Sequence, residues 1–343
     1  MLSLASLALV STLGASSGPW LAPVDVHKME SVAGPRWKVV VQAPGDFDEA
    51  VLSYALDPKQ GKGIRVFVRP AVDGASLLQL ADYQTEGPRT SVSHQADSFA
   101  SVDTDTLILK NPGRALEIQV EPVADSEGRL PSLKELYVSF ANTQPAPAAQ
   151  REPNKTAWGK LMEPPRRAQG TYVGGGVLCS PTSVSMALGY WAGTLKRQEL
   201  DHDVPSVQRG VYDVDYNATG NWSFNAAFAG SQPGMRAYVS RFRDLRDLED
   251  WIAQGVPVAC SVSYGMLKGK DKRDPDDGHL VLLVGFTSTG DPVFNDPGRN
   301  VVRMTYHRAD LERAWKVSRN TVYLIYPEGW KVPSGDGPWD HTN

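Results

Sequence analysis

At 343 residues and 41% apolar content the chain is long enough for two domains, each with a proper core. A net charge of −4, from 35 basic and 39 acidic residues, gives no electrostatic basis for a nucleic-acid or anionic-membrane partner. Two cysteines cannot build a disulfide framework, and the sequence has no CxxC or HExxH zinc pattern, so no cofactor or metal is expected.

Residues 2–15 are apolar and then small, too short to anchor in a bilayer, and read as the h-region of a signal peptide over residues 1–18. A buried terminal helix is the alternative. No other stretch is long enough to span a membrane, so an exported protein without a transmembrane anchor is expected.

From residue 37 to 141, short alternating runs are broken by Gly and Pro. Trp37–Gln42, Ile64–Arg69, Thr106–Leu109, Ala115–Val120 and Leu136–Phe140 each read as a strand. Their regular spacing favours a β-sandwich over about residues 25–143, either a binding module or a domain that simply packs on its neighbour. Asp103 and Asp105 suggest calcium only weakly, because no ligand cluster accompanies them; turn and strand-edge residues are the simpler reading. Residues 144–153 are rich in Pro and Ala and read as a semi-rigid linker to a second domain at 154–330, with a tail at 331–343.

The most informative segment follows. Gly174, Gly175 and Gly176 precede Val177-Leu178-Cys179-Ser180-Pro181, and Val184, Ala187, Leu188 and Trp191 then recur at helical spacing. Ser180 is a candidate N-cap and Pro181 a candidate first helical residue. Cys179 thus stands at the positive end of a helix dipole, which favours a thiolate and marks a candidate nucleophile. The glycines permit close backbone approach to a substrate strand or form a plain turn. Cys260, inside the strand-like run Val256–Tyr264, reads as a core cysteine; a Cys179–Cys260 bridge is the alternative.

A nucleophilic cysteine needs a base. Among six histidines, His279 opens the apolar run Leu280–Phe286, a buried strand whose mouth can present an imidazole to a cleft. A turn at Ser288–Asp291 and a second short strand return the chain to Asn295-Asp296-Pro297, so Asp296 or Asn295 can orient the ring. Further strands at about 301–306 and 322–327, and helices around Leu245–Ile252 and 308–316, complete a helix-first, sheet-later order that is α+β. The carboxylates of Asp274, Asp276 and Asp277 bias the approach to His279 towards basic substrates or form a solvated loop. Tyr212, Trp222 and Phe224 are cleft or core aromatics.

Three blocks, Cys179–Trp191, Gly278–Gly285 and Asn295–Pro297, in this order, resemble the signature blocks of C39-like cysteine peptidases, a papain-like family. Gly220–Asn225 is similar to a block of secreted members, which also carry an N-terminal β-rich domain. The resemblance spans about residues 160–327. It implies a papain-like α+β peptidase domain with Cys179 as nucleophile, His279 as base and Asp296 as orienting carboxylate. It also implies Gln169 as the side-chain donor of the oxyanion hole, with Gly175, Gly176 and Trp222 as candidate substrate contacts. The expected protein is a secreted or extracytoplasmic bacterial cysteine peptidase acting on peptides or proteins through an acyl-thioester. A cell-surface or polysaccharide target for the N-terminal domain is a further expectation. An amidase or acyltransferase using the same triad, and a binding protein with a decayed triad, are the alternatives.

Overall fold

The computed structural model describes residues 18–32, 34–57, 60–144 and 151–342. The signal-peptide assignment and most of the linker assignment lie outside these residues. Among those described, no helix is long and apolar enough to cross a membrane.

The N-terminal half holds strands β1 (Trp20–Pro23), β2 (Glu30–Val32), β3 (Arg36–Leu56), β4 (Gly63–Pro70), β5 (Leu78–Gln84), β6 (Thr90–Ser91), β7 (Ala100–Asp103), β8 (Thr106–Val123) and β9 (Leu133–Ala141). They hydrogen-bond along one antiparallel path, β1-β9-β3-β8-β4-β5-β6, with β2 on β3 and β7 on β8. Where the sequence predicts separate strands at 106–109 and 115–120, β8 runs through. Pro112 and Gly113 fall where the β3–β8 register shifts, near Gln42/Phe47 and Phe47/Glu49. Such shifts let a long strand bend without ending. The run Ala50–Leu56 shows no alternation because it is buried on both faces. Its outer face meets the second half of the chain, and Ser223 Oγ donates to the Leu52 carbonyl while Ser53 Oγ accepts from Val239 N–H.

The C-terminal half holds helices α1 (Cys179–Leu195), α2 (Val204–Val211), α3 (Trp222–Gly230), α4 (Leu245–Ala253), α5 (Tyr264–Leu267) and α6 (Arg308–Lys316). Its strands are β10 (Met235–Arg241), β11 (Val258–Ser263), β12 (Gly278–Phe286), β13 (Pro292–Asn295), β14 (Arg303–Thr305) and β15 (Thr321–Pro327), an antiparallel sheet in the order β10-β15-β11-β12-β13-β14. The architecture is therefore mixed, with two antiparallel sheets and few helices. Helix α1 packs on β12, so the helix that begins with a cysteine faces the strand that begins with a histidine.

One core runs through both halves. Arg241 of β10, 2% exposed, pairs with Glu49 of β3 at 2.9 Å, and Arg319 reaches the same carboxylate. The C-terminal residues are tied in as well. Trp339 is buried, and Asp340 accepts from the Tyr137 hydroxyl at 3.1 Å and from Arg236 at 2.8 Å.

Candidate active site

Helix α1 starts at Cys179 itself, earlier than the expected cap at Ser180. The Ser180 hydroxyl is buried against the Tyr323 hydroxyl at 3.0 Å, so it is not free to cap. Leu178 occupies the cap position with no side-chain bond. The Cys179 N–H, first in the helix, has no intrahelical acceptor. The thiol is partly exposed and free, while Cys260 in β11 is fully buried and also free. The two sulfurs thus stand in different settings, and burial alone drives the Cys260 thiol upward.

His279, the second residue of β12, is 5% exposed, and its Nε2 lies 2.8 Å from Asp296 Oδ1. That leaves Nδ1 as the ring nitrogen for Cys179, which lines the same cleft. Burial works against the Cys179 thiolate. The His279 hydrogen bond and charge, with the Leu280 and Ser180 amides, outweigh it, and the thiol falls below its ordinary value. Burial also disfavours the imidazolium, but Asp296 and Cys179 override it and raise His279 to about 9. Both directions favour the thiolate–imidazolium form of the pair.

Asp296 is fully buried just after β13. Burial raises its carboxyl, yet His279, the Tyr306 hydroxyl and the Gly298 N–H hold it below the usual carboxylate range. The Tyr306 hydroxyl donates to Oδ2 at 2.5 Å and Gly298 N–H to Oδ1 at 2.9 Å. The neighbouring Asn295 points elsewhere: its amide faces the Pro164 and Pro165 carbonyls, and its oxygen accepts from Arg303. Tyr264, the first residue of α5, stacks on the His279 ring with centroids 4.0 Å apart and planes inclined by 31°. A side chain at Gly298 would meet both rings, with the Tyr264 hydroxyl at 2.9 Å and His279 Cε1 at 3.1 Å. Neither Tyr264 nor Tyr306 carries a local sequence signal; only the fold brings them to the imidazole and the carboxylate.

A cleft of about 580 Å³ opens over Cys179 and His279. Gly176 and Trp222 line it, whereas Gly175 does not. Gly175 lies under Gln169, where a Cβ would stand 2.4 Å from the Gln169 carbonyl oxygen, so its glycine serves the turn rather than the cleft wall. Gln169 is not among the residues lining the cleft. Its Nε2 donates to the Gly175 carbonyl at 2.7 Å, and its Oε1 is buried without a partner. One of the two amide protons remains uncommitted. Phe224 is buried in the core and Tyr212 is exposed outside the cleft. His307 stands at the start of α6, beside a separate cavity of about 220 Å³.

Asp103 and Asp105 do sit at a turn, the one between β7 and β8, and that turn forms part of the cleft wall. Among the described residues, no group of three or more His, Cys, Asp or Glu is placed to hold a metal ion.

No curated protein matches the chain. A solved structure from Bacillus anthracis, described as a C39-like peptidase, is similar at 16% identity over 53% of this chain and all of that one, with a TM-score of 0.36. The model of the Peptidase_C39 like family matches residues 162–323, a span that contains Cys179, His279 and Asp296. Over these residues the chain is similar to the Peptidase C39 like family.

Proposed function

We propose that the protein is an exported cysteine peptidase that hydrolyses peptide bonds through Cys179, His279 and Asp296. What carries the reading is that Cys179 and His279 line one open cleft, with Asp296 2.8 Å from the far side of the imidazole. Export is supported by the apolar run at residues 2–15. The register shifts between the long strands β3 and β8 support reading residues 25–143 as a sandwich made by one sheet folding on itself.

In the first half-reaction the Cys179 thiolate adds to the scissile carbonyl carbon, and the carbonyl oxygen takes the negative charge. The N–H at the start of α1 is one donor for that oxyanion; Gln169, the second donor that the family resemblance implies, is bonded to the Gly175 carbonyl and does not line the cleft. Each such donor is worth on the order of 10²–10³ in rate. The His279 imidazolium passes its proton to the departing amine nitrogen, the C–N bond breaks and an acyl-thioester remains. Neutral His279 then takes a proton from water; the hydroxide adds to the thioester, and the acid leaves as the Cys179 thiolate re-forms. Asp296 holds the ring with Nδ1 towards sulfur and steadies its positive charge.

The test is cleavage of a mixed peptide library by the full-length protein, read by mass spectrometry beside Cys179→Ala. Cleavage that disappears in the variant supports the reading. Equal cleavage by both proteins removes it.

A further inference from the structure

The cleft is not built by the C-terminal half alone. The β7–β8 turn, Asp103-Thr104-Asp105-Thr106, lines it beside Cys179 and His279. Thr104 has a φ of 54°, which a β-branched residue rarely adopts, and its N–H is held by Ser93 Oγ at 2.9 Å. Asp105 is buried, and its carboxylate accepts from the N–H of Trp222, the first residue of α3. The turn is thus docked on a helix that itself contributes Trp222 to the cleft.

A second set of bonds fixes the loop next to it. Val214 N–H donates to the Arg89 carbonyl at 2.8 Å, Ser91 N–H to Asp213 Oδ1 at 3.0 Å, and Arg89 Nη1 to the Arg209 carbonyl at 2.9 Å. That loop carries Tyr216 and Ala218, which also line the cleft. The Tyr216 phenol, raised first by burial, is raised further by the charges of Asp105, Cys179 and Asp103, so the turn and the nucleophile lie within electrostatic reach of one group.

The charges in this space are unequal. Within the loop before β12, Asp277 is taken up by Ser263 Oγ and Gly265 N–H, and Asp274 by Lys270. Asp276 remains on the wall, and Arg273, the cation there, is paired with Asp277 at 3.4 Å. Asp103 is exposed, and its side-chain contact is a 3.4 Å bond from Thr104 Oγ1. Its carboxylate is therefore available to a substrate.

We propose that the β7–β8 turn is a specificity wall of the catalytic cleft, with Asp103 selecting substrates that carry a cationic side chain or amine beside the scissile amide. The inference rests on the peptidase reading for the word substrate, but its physical content is the potential that Asp103 imposes at Cys179. A unit charge on the wall of the same cleft, partly screened by solvent, raises the local concentration of a monovalent cation by about two- to threefold and lowers that of an anion by the same factor.

The test measures second-order labelling of Cys179 in the full-length protein at low salt with three methanethiosulfonates, cationic, neutral and anionic. Wild type is compared with Asp103→Asn and Asp103→Lys; the buried Cys260 stays silent. The expected result is a cation-over-anion rate ratio above that of a free cysteine peptide. It falls about fivefold in Asp103→Asn and falls further in Asp103→Lys, while the neutral rate stays within about twofold. Equal ratios in all three proteins overturn the proposal. Kinetics on peptides with Lys or Glu flanking the cleaved bond form the second arm. A shift in kcat/KM preference from Lys towards Glu in Asp103→Lys supports the proposal, and an unchanged preference overturns it. If wild type cleaves no peptide, the peptidase reading fails, and the labelling ratios still decide the role of Asp103.

Discussion

His279 Nε2 lies 2.8 Å from Asp296 Oδ1, while Asn295, one residue earlier, turns its side chain to Pro164, Pro165 and Arg303. Asp296→Ala is therefore expected to lower kcat by about 10²–10⁴-fold and to move the acid limb of the pH profile, because the imidazole loses both its tautomer lock and its counter-charge. Asn295→Ala is expected to lower thermal stability and leave the shape of the profile unchanged. Steady-state kinetics across pH on both variants check this pair.

The two thiols separate by environment. Iodoacetamide should alkylate wild-type Cys179 well below the ordinary thiol range, since the His279 imidazolium persists up to about 9. In His279→Ala the rate at pH 6 should fall to roughly 1% or less, the thiolate fraction of an unassisted cysteine. Cys260→Ala should keep full labelling and activity and lose about 1–2 kcal/mol of stability to the cavity it leaves. Mass-resolved labelling and urea unfolding read the two outcomes.

Tyr264 covers the His279 ring at 4.0 Å, and its own ring carries the Lys268 ammonium at 3.6 Å from the centroid. It acts as a positioning residue. Tyr264→Ala is expected to lower kcat roughly tenfold or more with little change in KM, by freeing the imidazole. Tyr264→Phe keeps the stack and should retain most of the rate. A pH–rate profile that shifts in the alanine variant and recovers in the phenylalanine variant supports stacking; equal losses in both point to the hydroxyl.

Burial raises Asp105 from 3.8 to about 6, against the Trp222 and Ser223 amides that lower it. The folded state thus binds the proton more tightly than the unfolded chain. Stability from this group is present below about 4 and is lost as pH rises to about 6, by roughly 3 kcal/mol. Asp105→Asn removes this dependence. The difference in unfolding free energy, wild type minus variant, should decrease by that amount between pH 4 and pH 7; a flat difference contradicts the raised value.

Arg241 is buried against Glu49 across the two halves, with its Nε and Nη1 lacking partners. Glu49→Ala strands the guanidinium in the core and is expected to cost about 3–5 kcal/mol. Thermal unfolding should show both halves melting together, earlier than in wild type. Separate transitions would mean that the halves are independent.

The sequence by itself placed Cys179 at a helix start, His279 at the mouth of β12 and an acid–amide pair at the end of β13. Each is a local matter: a glycine run before an apolar stripe of period 3.6, and an uninterrupted apolar run that only a buried strand accommodates. Asp296 and Asn295 could not be separated that way, because adjacent residues on a chain leaving a strand point in different directions that only packing fixes. The Ser180 cap failed for a related reason: capping propensity describes an exposed hydroxyl, and Tyr323, 143 residues away, binds this one. The sequence likewise gave no hint that Tyr264 stacks on His279. It read Asp103 and Asp105 correctly as turn residues but not as cleft residues, since strands β7 and β8 meet α3 only when the two sheets share one core. What local pattern determined is which residues can do chemistry. What tertiary structure decided is which of them face one another, because burial and long-range pairing, not propensity, orient polar side chains in a dry interior.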